Sequence, residues 1–189
     1  ASDLAAAGRA AAIDPLHRVF ASALGGDLAA NGQKAALLVA YNVLAQVPDL
    51  NDCVAGARLL LKADGLMTVE FPHLLRLLEG NQFDTIYHEH FSYFSLLSAR
   101  KIFAAHGLEV VDIEELPTHG GSLRLHVRHI ELGVSPTPAV AALEERERQA
   151  HLDRPAGYAD FAPRVEGVKR DVLAFLVDAK RGNRSVVGY

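Results

Sequence analysis

The run "ALLVAY" (Ala36–Tyr41) constrains the fold of this chain more than any other feature. Six apolar residues without a polar break mark a strand buried on both faces. A second strand, "LMTVEF" (Leu66–Phe71), follows. Between them "DLNDCVAGARLLLK" has helical spacing, an Asp at its start and a Lys at its end, and "ADG" reads as the turn after it. Next come a helix in "FSLLSARKIFAAHG", with Ser near its start and Gly107 as C-cap, and a strand in "LEVVDIEEL". "SLRLHVRH" alternates Leu123, Leu125 and Val127 with Arg124, His126 and Arg128, the pattern of a half-exposed strand. Strands and helices in alternation predict an α/β fold with a mainly parallel sheet. The "PTHGG" connection is too short for a crossover helix, so the last two strands are expected as antiparallel neighbours at the sheet edge.

After the linker "LGVSPTP" the chain reads as helices, "AVAALEERERQAHL" and "DFAPRVEGVKRDVLAFLVDAKRG", with a short closing strand in "SVVGY". Residues 1–133 are therefore expected to form the sheet domain and 134–189 a helical segment. The Ala-rich start, "ASDLAAAGRA", reads as a helix already under way. With the strand at the other end, this suggests a piece of a longer polypeptide.

Composition narrows the function. Half of the 189 residues are hydrophobic, enough for one sizeable core. A net charge of −4 offers no basic field for nucleic acid or anionic lipid. Cys53 is the sole cysteine, which excludes an internal disulfide and a Cys-based zinc cage. No apolar run approaches the roughly 20 residues of a membrane span, and no signal-peptide core opens the chain. A cytoplasmic protein is the expectation.

In open parallel sheets, ligands sit beyond the C-terminal strand ends. Tyr41, Asn42, Gln46, Glu70 and His73 fall at such ends and are candidates for one shared crevice. Each has a plainer reading, Asn42 as a turn residue and His73 as a first-turn surface residue. No G-x-G occurs, so neither a Rossmann-type phosphate loop nor a Walker loop is present.

"FDTIYHEHFSYFS" (Phe83–Ser95) places Tyr87, His88, Glu89 and His90 in succession. A neighbouring carboxylate can orient an imidazole, and such a pair suits acid–base chemistry near neutral pH. Phe83, Phe91, Tyr93 and Phe94 would wall the site and keep it dry. Two alternatives stand beside this: a metal site of two His and a Glu, and aromatic core with histidines bonded to backbone. In "HGGSLR", Gly120 and Gly121 would let a ligand approach the backbone, and Arg124 could fork a phosphate. A hairpin turn also explains that stretch.

Taken together, "YNVLAQVPDLNDCVAGARLLLKADGLMTVEFPHL", "IYHEHFSYFS" and "LPTHGGSLR" resemble the S-adenosylmethionine-dependent C-methyltransferases of nucleotide-linked keto-deoxysugars. The resemblance implies the later part of a class I methyltransferase (Rossmann-like) sheet, with an N-terminal zinc module and a C-terminal sugar domain elsewhere in the family. It implies S-adenosyl-L-methionine as cofactor, a nucleotide-linked keto-deoxysugar as partner, no metal in this chain, and room for a homo-oligomer. His90 would be the base, with Tyr87 and Glu89 orienting it and binding sugar. Tyr41, Asn42 and Gln46 would face the cofactor. His119, Gly120, Gly121, Arg124 and His73 would shape the substrate side. At Gln46 some relatives carry a second catalytic His, and Gln cannot shuttle a proton at neutral pH. The alternative function is a non-catalytic module that binds nucleotide-sugar or self-associates.

Overall fold

The structure is a computed structural model, and it describes residues 16–188. The Ala-rich helix expected at the start lies outside the described residues. The described order is α1 (Ser22–Ala30), β1 (Ala35–Tyr41), α2 (Leu50–Leu60), β2 (Leu61–Pro72), α3 (Leu74–Glu79), α4 (Leu96–Ala105), β3 (Leu108–Leu116), β4 (Ser122–His129), α5 (Pro138–Gln149) and α6 (Phe161–Arg181). Helix starts follow the local signals. The Asp49 carboxylate accepts the Asp52 N–H at 3.0 Å and caps α2. Ser95 and Ser98 form a reciprocal capping box on α4, which ends before Gly107 at φ +69°.

The sheet order is β1-β2-β4-β3. β1 pairs with β2 in parallel; β2–β4 and β4–β3 pair antiparallel. So β1, β2 and β3 share a direction, as expected of a mainly parallel sheet, yet only one of these pairings is parallel. The reason is the short Pro117–Gly121 connection, which folds β4 back between β2 and β3. "ADG" is not a turn between elements. The ladder jumps from Ala35–Leu61 to Leu37–Leu66, so Lys62–Gly65 bulge within β2. Ser185–Gly188 carry no strand, contrary to expectation.

One sheet face makes the core. Met67, Val69 and Phe71 of β2 and Leu123, Leu125 and Val127 of β4 are buried against Leu96 and Phe103 of α4 and Val140 and Leu143 of α5. Burying each such side chain contributes about 1.5–3 kcal/mol. The opposite face carries the alternate residues, Tyr41, Thr68, Glu70, Arg124 and His126. No described helix is long and apolar enough to cross a membrane.

Candidate active site

Because β4 is antiparallel, its start lies at the same rim as the ends of β1, β2 and β3. The loops there are stitched together by backbone bonds. The His73 N–H donates to Gly121 O at 2.9 Å, Leu74 N–H to Phe94 O at 2.9 Å, and Phe91 N–H to Ala45 O at 2.8 Å. The Gln82 side-chain amide donates to Gly120 O at 2.8 Å. The turn after β1, the 83–95 segment and the glycine loop thus form one rim.

His90 sits in the middle segment with both ring nitrogens engaged. Nδ1 lies 2.9 Å from Thr85 O, and Nε2 lies 3.2 Å from the Tyr87 hydroxyl. A carbonyl only accepts, so Nδ1 carries the proton. In the neutral ring Nε2 is then the basic atom, and it accepts from the Tyr87 O–H. The two rings lie 4.3 Å apart at 35°, and Tyr93 meets His90 edge-on at 5.9 Å. The main-chain N–H of His90 closes a turn onto Tyr87 O, which is why residues three apart come together.

Several expectations change here. Glu89 does not orient His90: its side chain is exposed and makes no hydrogen bond among the described residues. The Tyr87 phenol and the Thr85 carbonyl take that role. The wall is not dry, since Phe91 is 60% exposed. His73 is not in the crevice. Its side chain is fully buried, and Nε2 meets Glu147 Oε1 at 2.8 Å. Nor is Arg124 an open phosphate fork. Its Nε and Nη2 donate to Glu70 Oε2 at 3.1 and 2.9 Å, and its Nη1 to Glu114 at 3.4 Å. The Glu70 bonds hold the guanidinium above its ordinary range. Cross-strand register explains this, because Tyr41, Glu70, Arg124 and Glu114 stand opposite one another in one row. Arg124 also lies 4.8 Å from the centre of the Tyr41 ring.

Gly120 (φ +78°) and Gly121 (φ +126°) take backbone conformations that L side chains rarely adopt. A Cβ on Gly120 would meet the Gln82 amide at 2.6 Å, and one on Gly121 would meet Arg76 Cγ at 2.7 Å. His119 is exposed on the same loop at φ +52°, a strained value for a non-glycine residue. Asn42 also takes positive φ, and its N–H donates to Glu70 O at 2.8 Å. Gln46 ends the short turn Leu44–Gln46 with its side chain exposed. Among the described residues no group of three or more metal-ligating side chains is brought together.

Two participants were missed in the sequence. Thr85 acts through its carbonyl, which leaves no side-chain signal. Glu147 stands in the charged run "EERERQ", which reads as a solvated face. The signal was its spacing, since Val140, Leu143 and Glu147 lie on one buried helical stripe.

The structure is thus a four-stranded α/β sheet whose rim gathers an imidazole, a phenol and a glycine loop. Residues 3–113 match the methyltransferase-domain family, and residues 117–189 match the C-methyltransferase C-terminal domain family. The chain belongs to the methyltransferase family. The C-methyltransferase NovU of Streptomyces niveus is 34% identical over 189 residues, covering all of this chain and 45% of that protein. The chain therefore spans less than half the length of that relative. Among solved structures, a SAM-dependent methyltransferase of Anabaena variabilis aligns over 62% of this chain and 58% of its own, at 13% identity and a TM-score of 0.46. The mitomycin 7-O-methyltransferase MmcR aligns over 68% and 37%, at 16% identity and the same TM-score. The two family matches meet between residues 113 and 117, yet β4 pairs with both β2 and β3, so the matched segments share one sheet.

Proposed function

We propose that the protein is an S-adenosylmethionine-dependent C-methyltransferase, or part of one, that methylates the carbon beside the ketone of a nucleotide-linked deoxysugar. The observation that carries this reading is the fixed tautomer of His90. An Nδ1–H held on Thr85 O leaves Nε2 as the lone pair, where it accepts from the Tyr87 hydroxyl. A carbon acid beside a carbonyl needs such a base and a donor for the oxyanion that develops.

Nε2 takes the proton from the substrate carbon, and the electron pair moves into the enolate. The Tyr87 O–H, released from Nε2, donates to the enolate oxygen. The Nδ1–H bond to Thr85 O persists throughout and keeps the ring in place as its charge rises. Glu89, exposed beside His90, is free to bind sugar hydroxyls directly. His119, at the exposed tip of the glycine loop, would contact the same sugar.

The turn after β1 fits one end of the cofactor. Tyr41, Asn42 and Gln46 present an aromatic edge and two amides there, suited to an amino-acid group. The described residues offer no glycine-rich turn for a nucleoside. When bound, S-adenosylmethionine supplies an electrophilic methyl on a sulfonium, so the enolate needs no metal to activate its partner.

The test is methyl transfer from labelled cofactor to a nucleotide-linked keto-deoxysugar. His90→Asn should lower kcat by about 10²–10⁴-fold with cofactor affinity retained. Unchanged turnover would remove His90 from the mechanism. A second reading, a non-catalytic module that binds nucleotide-sugar or self-associates, is favoured by the open β1 edge, where Leu37 and Val39 are exposed. Calorimetry with S-adenosylhomocysteine separates them: micromolar binding supports the enzyme, and none supports the module.

A further inference from the structure

Glu147 is a buried acid that the proposed chemistry does not use. Its side chain is completely buried, yet donors converge on it from three directions. Oε1 accepts the Leu96 N–H at 2.7 Å and His73 Nε2 at 2.8 Å, and Oε2 accepts the Leu97 N–H at 2.8 Å. Two main-chain N–H groups, one on each oxygen, and an imidazole nitrogen thus engage the whole side-chain head. Leu96 and Leu97 are the first residues of α4, whose N-terminus favours negative charge. They directly follow the segment that carries Tyr87 and His90. His73, on the other side, holds the glycine loop through its N–H on Gly121 O. Its Nδ1 is buried without a partner among the described residues, where the one side-chain bond of His73 is to Glu147.

We infer that Glu147 is a positioning residue: it clamps the end of the 83–95 segment and, through His73, the glycine loop, and so keeps Thr85 O and the Tyr87 hydroxyl where they fix the Nδ1–H tautomer of His90. This rests on the reading of His90 as the base. One carboxylate on α5 thereby couples both loops of the rim to one helix. Glutamine in its place has one acceptor atom and one NH₂ group, so in either orientation an NH₂ faces a backbone N–H and leaves it without an acceptor.

The test reads His90 directly, by ring ¹⁵N NMR of the full chain at about pH 8, where ordinary imidazole is neutral. In the wild type His90 should show a protonated Nδ1 and a bare Nε2, and the Leu96 and Leu97 amides should be protected from exchange. In folded Glu147→Gln the tautomer should shift toward Nε2–H, and those amides should exchange about tenfold faster. Glu147→Asp, which retains the charge but withdraws it by one methylene, should show the same shift to a smaller extent, and carries the test if Glu147→Gln unfolds. Arg100→Ala is the control. It breaks the Arg100 bonds to Glu144 of α5 and Glu109 of β3 without touching the loop, and should leave His90 unchanged. An unaltered His90 signature in folded Glu147→Gln or Glu147→Asp overturns the inference. So does an equal shift in Arg100→Ala, or wild-type Leu96 and Leu97 amides exchanging as freely as unfolded chain. None of these readings needs methyl transfer, so failure of this inference, read in the His90 signature, is distinguishable from failure of the enzyme reading, read in turnover.

Discussion

At the scale of single residues, the account depends on which atom of His90 is basic. Thr85 O and the Tyr87 hydroxyl decide it between them. Tyr87→Phe removes the donor to Nε2 and to the enolate oxygen while keeping the ring that packs against His90. Its kcat should fall roughly ten- to a hundredfold with KM nearly constant, read by steady-state methyl transfer. The sequence named both Tyr87 and Glu89 as partners of His90, and the structure brings only Tyr87 into hydrogen-bond contact with it. Adjacency along the chain favoured the carboxylate, whereas the turn from His90 N–H to Tyr87 O brings the phenol over the imidazole. A turn rearranges neighbours in a way that residue order alone does not specify.

Elements were more legible than contacts. The caps at Asp49, Ser95 and Gly107 and the alternation along β4 all lie where local chemistry predicts. What could not be read was how elements meet. Arg124 looked free for a phosphate because its partner Glu70 is 54 positions away in sequence and becomes its neighbour only through the β2–β4 register. His73 looked exposed because the acid that buries it belongs to α5. The same elements make an acid-sensitive tie. Glu115 of β3 accepts from Arg146 of α5 at 2.6 Å and from Arg76 of α3 at 2.8 Å. The Arg146 bond first, then Arg76, holds its carboxyl below the usual carboxylate range. A folded-state value below the unfolded one gives stability that is present above the unfolded pKa, about 4.3 for Glu, and is lost as pH falls through the folded value. Urea unfolding should therefore show stability declining below about pH 4. Glu115→Gln should flatten that part of the decline, and an unchanged slope would remove Glu115 as its source.

For the whole molecule, the two sides of the sheet differ. One is sealed by α4 and α5; the other leaves Leu37 at 57% and Val39 at 53% exposure on β1, whose outer edge has no partner among the described strands. α6 adds Val172, Leu173 and Phe175, all more than half exposed. Open edges and apolar patches of this kind drive association. The chain should self-associate in sedimentation velocity at micromolar concentration. Val39→Lys, a charge on the open edge, should raise the monomer fraction, and a sharp wild-type monomer would contradict this.

The central claim is that His90 Nε2 removes hydrogen from carbon. The most direct measurement follows that hydrogen, by ¹H NMR in D₂O, at the position beside the ketone of a nucleotide-linked keto-deoxysugar mixed with the protein. The wild type should wash the signal out faster than buffer does, and His90→Asn should return it to the buffer rate. Equal washout by both proteins, or none by the wild type, would contradict the claim.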